Sequence, residues 1–321
     1  MGRKDHITTM MIFIKNWGYK VKYVIKRYLG KIFNIISTLL TFLGLILSIA
    51  EIIYYMFGSK IVYNFMKDKA VLIVVIGVLI GFFKHKVNLQ YKYYIKGTDV
   101  EMSIQVTDVL NVDAAIVIPT NTTFDTLMEN EFISVNSVQG QFQLRYFNNN
   151  LTELDDLLAK GLDGLGYEQL HRTKSKNKRY PIGTVSKITV QGKHYYFVAI
   201  ADINEYGKTE NTRFENVQIA LEGIWNEVGE KGHIENLALP LIGTGKAGIK
   251  DVTRIGVIKE IIFSFVASAT ERKITEKLIV CVNPMDLNHK DIQLEEIDEY
   301  LKYMCKYRYA DVNSRTEGIG I

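Results

Sequence analysis

Gly243, Gly245 and Gly248, with Thr244 and Lys246 between them, follow the apolar run Ala238-Leu-Pro-Leu-Ile242 and precede a stretch with helical periodicity. Glycines let a backbone approach an anion closely, a threonine supplies a hydroxyl, a lysine a charge, and a helix N-terminus adds aligned N–H groups. The chemistry on offer is contact with phosphate. The spacing fits G-x-G-x-x-G, a pattern that is weak by itself. A dinucleotide-binding turn would sit in the first strand-to-helix connection, with an acidic residue closing the next strand. Here the loop lies late, and the next strand closes Val280-Cys-Val-Asn283. A Walker loop would need Gly-Lys-Ser/Thr, which does not occur at this spacing. On this stretch alone, phosphate contact and a tight structural turn both stand.

Further polar residues gather at other strand ends. Asp113-Ala-Ala-Ile-Val-Ile-Pro-Thr-Asn121 reads as a buried strand ending in asparagine, followed by Thr122-Thr-Phe-Asp125. The carboxyl end of a strand in an α/β fold is where ligands bind. Asp108 is either a turn or helix cap or a ligand contact. Ser134–Phe142, with Gly140, reads as a loop that turns tightly or presents backbone N–H groups. His171–Gly183 carries Lys174, Lys176, Lys178 and Arg179, and reads either as a solvated loop or as an anion-facing flap. Cys281 and Cys305 lie in apolar runs as core residues, and no metal or disulfide pattern forms.

The elements that must position these residues alternate between periods of two and 3.6. Strands are expected over Met102–Val106, Ala114–Pro119, Val185–Val190, His194–Ala201, Leu237–Ile242 and Lys277–Val282. Helices are expected over Thr123–Glu129, Leu151–Ala159, Arg213–Glu227, Val252–Ala269 and Ile292–Tyr303. Strands interleaved with helices make a layered α/β domain.

The first hundred residues differ in kind. Ile32–Phe57 is apolar with Glu51 as its one charge, long enough at about 1.5 Å per residue to cross a hydrocarbon core of roughly 30 Å. Glu51, near the end of that run, either snorkels to the interface or lines an assembled pore. Ala70–Phe83 is apolar on every side and flanked by lysines, which points to lipid. Arg3, Lys4, Lys15, Lys20, Lys22, Lys26, Arg27 and Lys31 precede the first run, and Lys84, Lys86, Lys92 and Lys96 follow the second. By the positive-inside rule both termini are expected in the cytoplasm. The net charge of +4 is thus concentrated where it meets anionic headgroups, and does not suggest nucleic acid. The expected divisions are a basic N-terminal segment (1–31), a two-pass transmembrane hairpin (32–86), a ligand-binding domain (99–306) and a tail (307–321).

Taken together, Ile118-Pro-Thr-Asn-Thr-Thr-Phe-Asp-Thr126, Tyr180-Pro-Ile-Gly-Thr-Val185 and Ala238–Ile249 resemble the divergent macro domain of the Thoeris anti-phage effectors. The hairpin ahead of them is similar to the type II form. That resemblance implies a three-layer macro-like α/β domain with a mixed six-stranded sheet, preceded by an all-α two-helix transmembrane hairpin. It implies Asp108 against an adenine amino group, although Thr107 stands where the family usually has glycine. It implies Asn121 toward the distal ribose or its replacement, with Asp125 close behind, and Gly140 in a first loop. Gly243, Thr244, Gly245, Lys246, Ala247 and Gly248 would wrap a diphosphate. The implied ligand is an ADP-ribose-derived messenger, in the type II branch an amino-acid conjugate, made from NAD by a TIR-domain partner enzyme. Binding would drive homo-oligomer formation and perturbation of membrane lipid, ending in abortive infection. No catalytic residue, metal or cofactor is implied. Many macro domains hydrolyse ADP-ribose linkages with a Gly-Gly-Gly-Val loop after the distal asparagine. This chain continues Thr-Thr-Phe-Asp-Thr-Leu-Met-Glu-Asn, without glycine before Gly140, so binding is expected in place of turnover. A membrane-tethered ADP-ribosyl hydrolase is the alternative.

Overall fold

A computed structural model describes residues 3–58, 60–128, 132–148, 150–172, 176–204, 206, 208–210, 212–231, 234–245, 253–288 and 292–307. The chain divides into two compact units, Trp17–Asn88 and Leu89 onward together with the residues up to Asn16.

Before Leu89 the described chain is helical: α1 (Arg3–Gly30), α2 (Ile32–Phe57), α3 (Ile61–Asp68) and α4 (Ala70–Lys84). The sequence suggested no element before Ile32, because lysines and apolar residues mix there without one strong stripe. Within this unit α4 packs on α2, with Gly77 against Leu39 and Phe42 and Gly81 against Ile35. Small residues at such contacts let helix backbones approach closely. Leu40, Leu45 and Ile52 on α2, and Val71, Leu79 and Phe83 on α4, are exposed. Among the described residues one helix, Ile32–Phe57, is long and apolar enough to cross a membrane. The expected second span is a 15-residue helix, about 22 Å at 1.5 Å per residue.

From Leu89 the strands are β1 (Gln90–Tyr94), β2 (Glu101–Val106), β3 (Ala115–Asn121), β4 (Glu168–Gln169), β5 (Lys178–Arg179), β6 (Val185–Val190), β7 (Lys193–Ile203), β8 (Thr209–Glu210), β9 (Leu237–Pro240) and β10 (Lys277–Val282). The main sheet runs β1-β2-β10-β9-β3-β7-β6, with β8 on β7, while β4 and β5 pair apart. It is mixed, as expected, but among the described residues holds eight strands where six were expected. The two extra ones are edge pieces that carry no apolar run: β1 is Gln-Tyr-Lys-Tyr-Tyr with alternate residues exposed, and β8 is two residues long. The five central strands β2, β10, β9, β3 and β7 are parallel, and β1, β6 and β8 run antiparallel to their neighbours.

The helices of this unit are α5 (Val138–Tyr146), α6 (Leu151–Gly161), α7 (Phe214–Lys231), α8 (Arg254–Glu271) and α9 (Leu294–Lys306). Ile116 and Ile118 of β3, Tyr195 and Phe197 of β7, and Phe142 and Leu158 of α5 and α6 form one buried cluster. Alternate strand residues such as Val117 and Val198 point by the pleat to the opposite face. On that side α7 packs on β7, α8 on α7, and α9 on α8 and β1. This is the three-layer α/β arrangement.

Two local expectations fail for identifiable reasons. Thr123–Glu129 was expected as a helix. Its described part, through Met128, is a turn followed by irregular chain, because Asn121 Oδ1 accepts from Thr123 N and Asp125 N and Phe124 adopts φ +50°. Ser134–Phe142 was expected as a loop, yet α5 begins at Val138 with Ser137 as its cap, its hydroxyl accepting from Gly140 N at 3.0 Å. Gly140 belongs there because a Cβ would overlap the carbonyl of Ser134. In an exposed helix, Gly→Ala gains about 1 kcal/mol. Here Gly140→Ala should instead lower the melting temperature, costing about 1–3 kcal/mol by overpacking.

Candidate functional site: a cleft at the carboxyl ends of the parallel strands

From β3 the chain winds outward to β7, and from β9 it winds the other way to β10, although β3 and β9 are neighbours. Where connections leave in opposite directions, a crevice opens beyond the carboxyl ends of the strands. A cleft of about 740 Å³ lies there, within the range of small-molecule sites. Its walls come from Lys15 and Asn16 of α1, Thr107–Val109 after β2, Pro119–Asn121 of β3, Phe132–Gln139 leading into α5, the end of β7, Pro240, Leu241 and Gly243–Gly245 at and after β9, and Arg254 with the segment after β10.

Of the residues singled out from sequence, Asp108, Asn121, Gly243, Thr244 and Gly245 line this cleft. Asp108 is 7% exposed and caps a 3-10 turn at Val109–Asn111, its Oδ1 accepting from Leu110 N at 3.1 Å. It is therefore both a cap and part of the wall. Asn121 Oδ1 accepts from Thr123 N at 3.2 Å, Thr123 Oγ1 at 2.9 Å and Asp125 N at 3.1 Å. Gly243 adopts φ +77°, a conformation that favours glycine, and Thr244 Oγ1 donates to Leu241 O at 3.2 Å. The hydroxyl expected to meet an anion thus also closes the turn. Lys246, Ala247 and Gly248 lie outside the described residues, as do Glu129 and Lys174.

Asp125 and Gly140 stand behind the wall. Asp125 is 1% exposed and accepts from Thr123 Oγ1 and from Lys176 N, the latter at 2.9 Å. Burial raises its pKa, against the hydrogen bonds from Thr123 and Lys176 and the charges of Lys176 and Arg172. Gln139 and Gln143, both buried in α5, donate to Asp125 O at 2.7 Å and Thr126 O at 2.6 Å. Arg172, Lys176, Lys178 and Arg179 of His171–Gly183 are engaged by the protein itself. Lys176 Nζ pairs with Asp155 at 2.6 Å and donates to Phe124 O. Arg179 pairs with Glu168 at 3.3 Å, and Lys178 lies over the Tyr167 ring. This segment reads as structural bracing for the Asn121 turn.

The profile of the family described as Thoeris protein ThsA, Macro domain, matches residues 102–283, over half of the chain and all of the cleft's lining except Lys15, Asn16, Met285 and Asp286. The chain belongs to the Thoeris ThsA macro-domain family. Among solved structures, it is similar to a macrodomain of Oceanobacillus iheyensis with ADP, at 13% identity and a TM-score of 0.45, covering 69% of this chain and 97% of that one. A Trypanosoma brucei macrodomain in complex with ADP-ribose is 9% identical, with a TM-score of 0.40, over 62% of this chain and 67% of that one. Likenesses at this level carry nothing about the ligand of this family member. No curated protein matches the chain.

Sequence reasoning missed three features of the ThsA-family cleft. One is the helix start at Val138, which the polar loop-like composition of Ser134–Phe142 hid. Another is the Arg254–Asp286 pair at 3.2 Å, contributed by segments 32 residues apart. The third is Thr120, 4% exposed, whose hydroxyl has no hydrogen-bond partner among the described residues. A buried unmade hydrogen bond costs about 1–3 kcal/mol. Thr120→Val, which keeps the shape, should leave the melting temperature unchanged or higher; a fall would show that the hydroxyl has a partner after all.

The Asp125 pKa supports a second prediction. A carboxyl raised on folding contributes stability that is complete below its ordinary value of 3.8 and is lost as pH rises through the folded value. Stability measured at stepped pH should therefore decline through that window in the wild type relative to Asp125→Asn, which does not titrate there. Parallel curves for the two proteins would refute the assignment.

Proposed function

We propose that this protein is the membrane effector of a bacterial anti-phage defence system, and that its cleft binds an ADP-ribose-derived messenger made from NAD by a TIR-domain partner. The observation that carries the reading is the cleft itself, with a glycine loop on the β9 rim facing the Asn121 turn on the β3 rim. A glycine backbone can approach a diphosphate, and Asp108 on the far wall can accept from an adenine amino group. Family membership supports the defence context.

The helical unit supports the membrane part. α2 spans, and α4, with its apolar surface and flanking lysines, completes a two-pass hairpin despite its length, by local thinning of the bilayer or snorkelling of the flanks. The lysines outside the two helices support a cytoplasmic location for both termini. Binding then favours a self-associating state whose clustered hairpins disrupt the membrane. A ligand shifts such an equilibrium only through different affinities for its two states. The tie from the cleft wall through Asp125 to the Lys176 segment gives a route for that difference. Binding without hydrolysis is favoured by Asn121, whose carbonyl is committed to the turn instead of to a reacting water.

Gly245 tests the site without threatening the fold, since an added Cβ meets nothing within 4 Å. Gly245→Glu should melt like the wild type, lose calorimetric binding of ADP-ribose through carboxylate repulsion, and fail to protect cells from phage. Full binding or full protection in that variant would refute the proposal. Release of free ADP-ribose from a modified protein substrate would instead establish the hydrolase.

A further inference from the structure

Arg254 is the first residue of α8, and it lines the cleft beside the glycine loop. Its Nε donates to Asp286 Oδ1 at 3.2 Å, and each side chain keeps 22% of its surface exposed. Asp286 belongs to the 3-10 turn Pro284–Asn288 that follows β10, so the pair joins two neighbouring strand-end segments of the crevice. The turn is fastened in its own right, with Asp286 N donating to Asn283 O and Met285 N to Asn283 Oδ1. The ion pair is therefore not what folds it.

The placement runs against the usual preference. The first turn of α8 contains no acidic residue, and a helix N-terminus disfavours a cation. The cap of α8 is made by Thr253, whose hydroxyl accepts from Gly256 N at 3.1 Å, so Arg254 is not needed to close the helix end. What an arginine adds there is a positive fork on the wall of a cleft, next to a glycine turn that brings backbone close to whatever binds. Guanidinium recognises carboxylate and phosphate oxygens by the same planar geometry. Asp286 presents such an oxygen from inside the protein.

We propose that Arg254 is a specificity-determining residue for phosphorylated ligands, and that Asp286 is the internal anion a ligand phosphate competes with. Its extension to an ADP-ribose derivative rests on the function proposed above; the anion preference of the cleft does not. When a phosphate takes the guanidinium, Asp286 loses its partner and faces a like charge, so ligands without an anionic group gain nothing from this rim.

The test uses the full chain in detergent micelles and isothermal titration with ADP-ribose at low and high KCl. Arg254→Gln should weaken binding by about ten- to a hundredfold, the range for a hydrogen bond to a charged group, and should flatten the loss of affinity with added salt. Asp286→Asn should tighten binding severalfold. Equal affinity in wild type and Arg254→Gln overturns the proposal. So does weakened binding with an unchanged salt dependence, or weakening by Asp286→Asn, since either marks the pair as a structural strut. Pyrophosphate is the second probe. If the wild type takes no ADP-ribose, the proposed function falls, while thermal stabilisation by pyrophosphate that disappears in Arg254→Gln still supports this inference and its absence overturns it.

Discussion

The side-chain carbonyl of Asn121 gathers Thr123 N, Thr123 Oγ1 and Asp125 N, and the rest of the cleft depends on that knot. It turns the chain out of β3 instead of letting it run on as a helix. Asp125 is brought inward, where it takes Lys176 N, while the backbone carbonyls of Asp125 and Thr126 receive the amides of Gln139 and Gln143. One buried network therefore ties the end of β3 to α5 and to the segment before β5. Such networks specify a single arrangement because any member left unmade is costly in a low-dielectric interior.

The opposite rim is built differently. Between β9 and α8 the described chain turns through Gly243 at positive φ, with Thr244 closing the turn on Leu241. Farther along the same connection Thr253 caps α8 on Gly256 N, and Arg254 ties its start to Asp286 after β10. The two rims flank the topological switch point, so a ligand between them would meet a turn held by a buried polar network on one side and a glycine turn on the other.

Much of the frame was legible in the residues. Val185–Val190 and Lys277–Val282 were read to the residue, because buried strands with β-branched runs bounded by Gly or Asn leave little choice. The long helices after Leu151, Phe214, Arg254 and Leu294 followed from their periodicity. The failures share a cause. β1 and β8 have no apolar signature, since an edge strand is ordered by its neighbour's hydrogen bonds and not by its own burial. α5 is a nine-residue helix whose glycine would argue against it in isolation, and the close approach of Ser134 explains why glycine stands there.

The sequence by itself determined which residue types stand at strand ends, the apolar run of α2 and the α/β class, because these depend on local periodicity and composition. It also marked Asn121 and the Gly243–Gly245 turn, since polar or glycine residues closing an apolar strand are visible in one dimension, while Asp108 came from the family resemblance. Only the tertiary structure decided which of them share a wall. Asp125 and Gly140 proved to support the cleft from behind, while Arg254 and Asp286, far from any motif, came to face it. The reason is that strand order is not chain order. β9 and β10 insert between β2 and β3, and that insertion, set by long-range pairing, decides which loops meet.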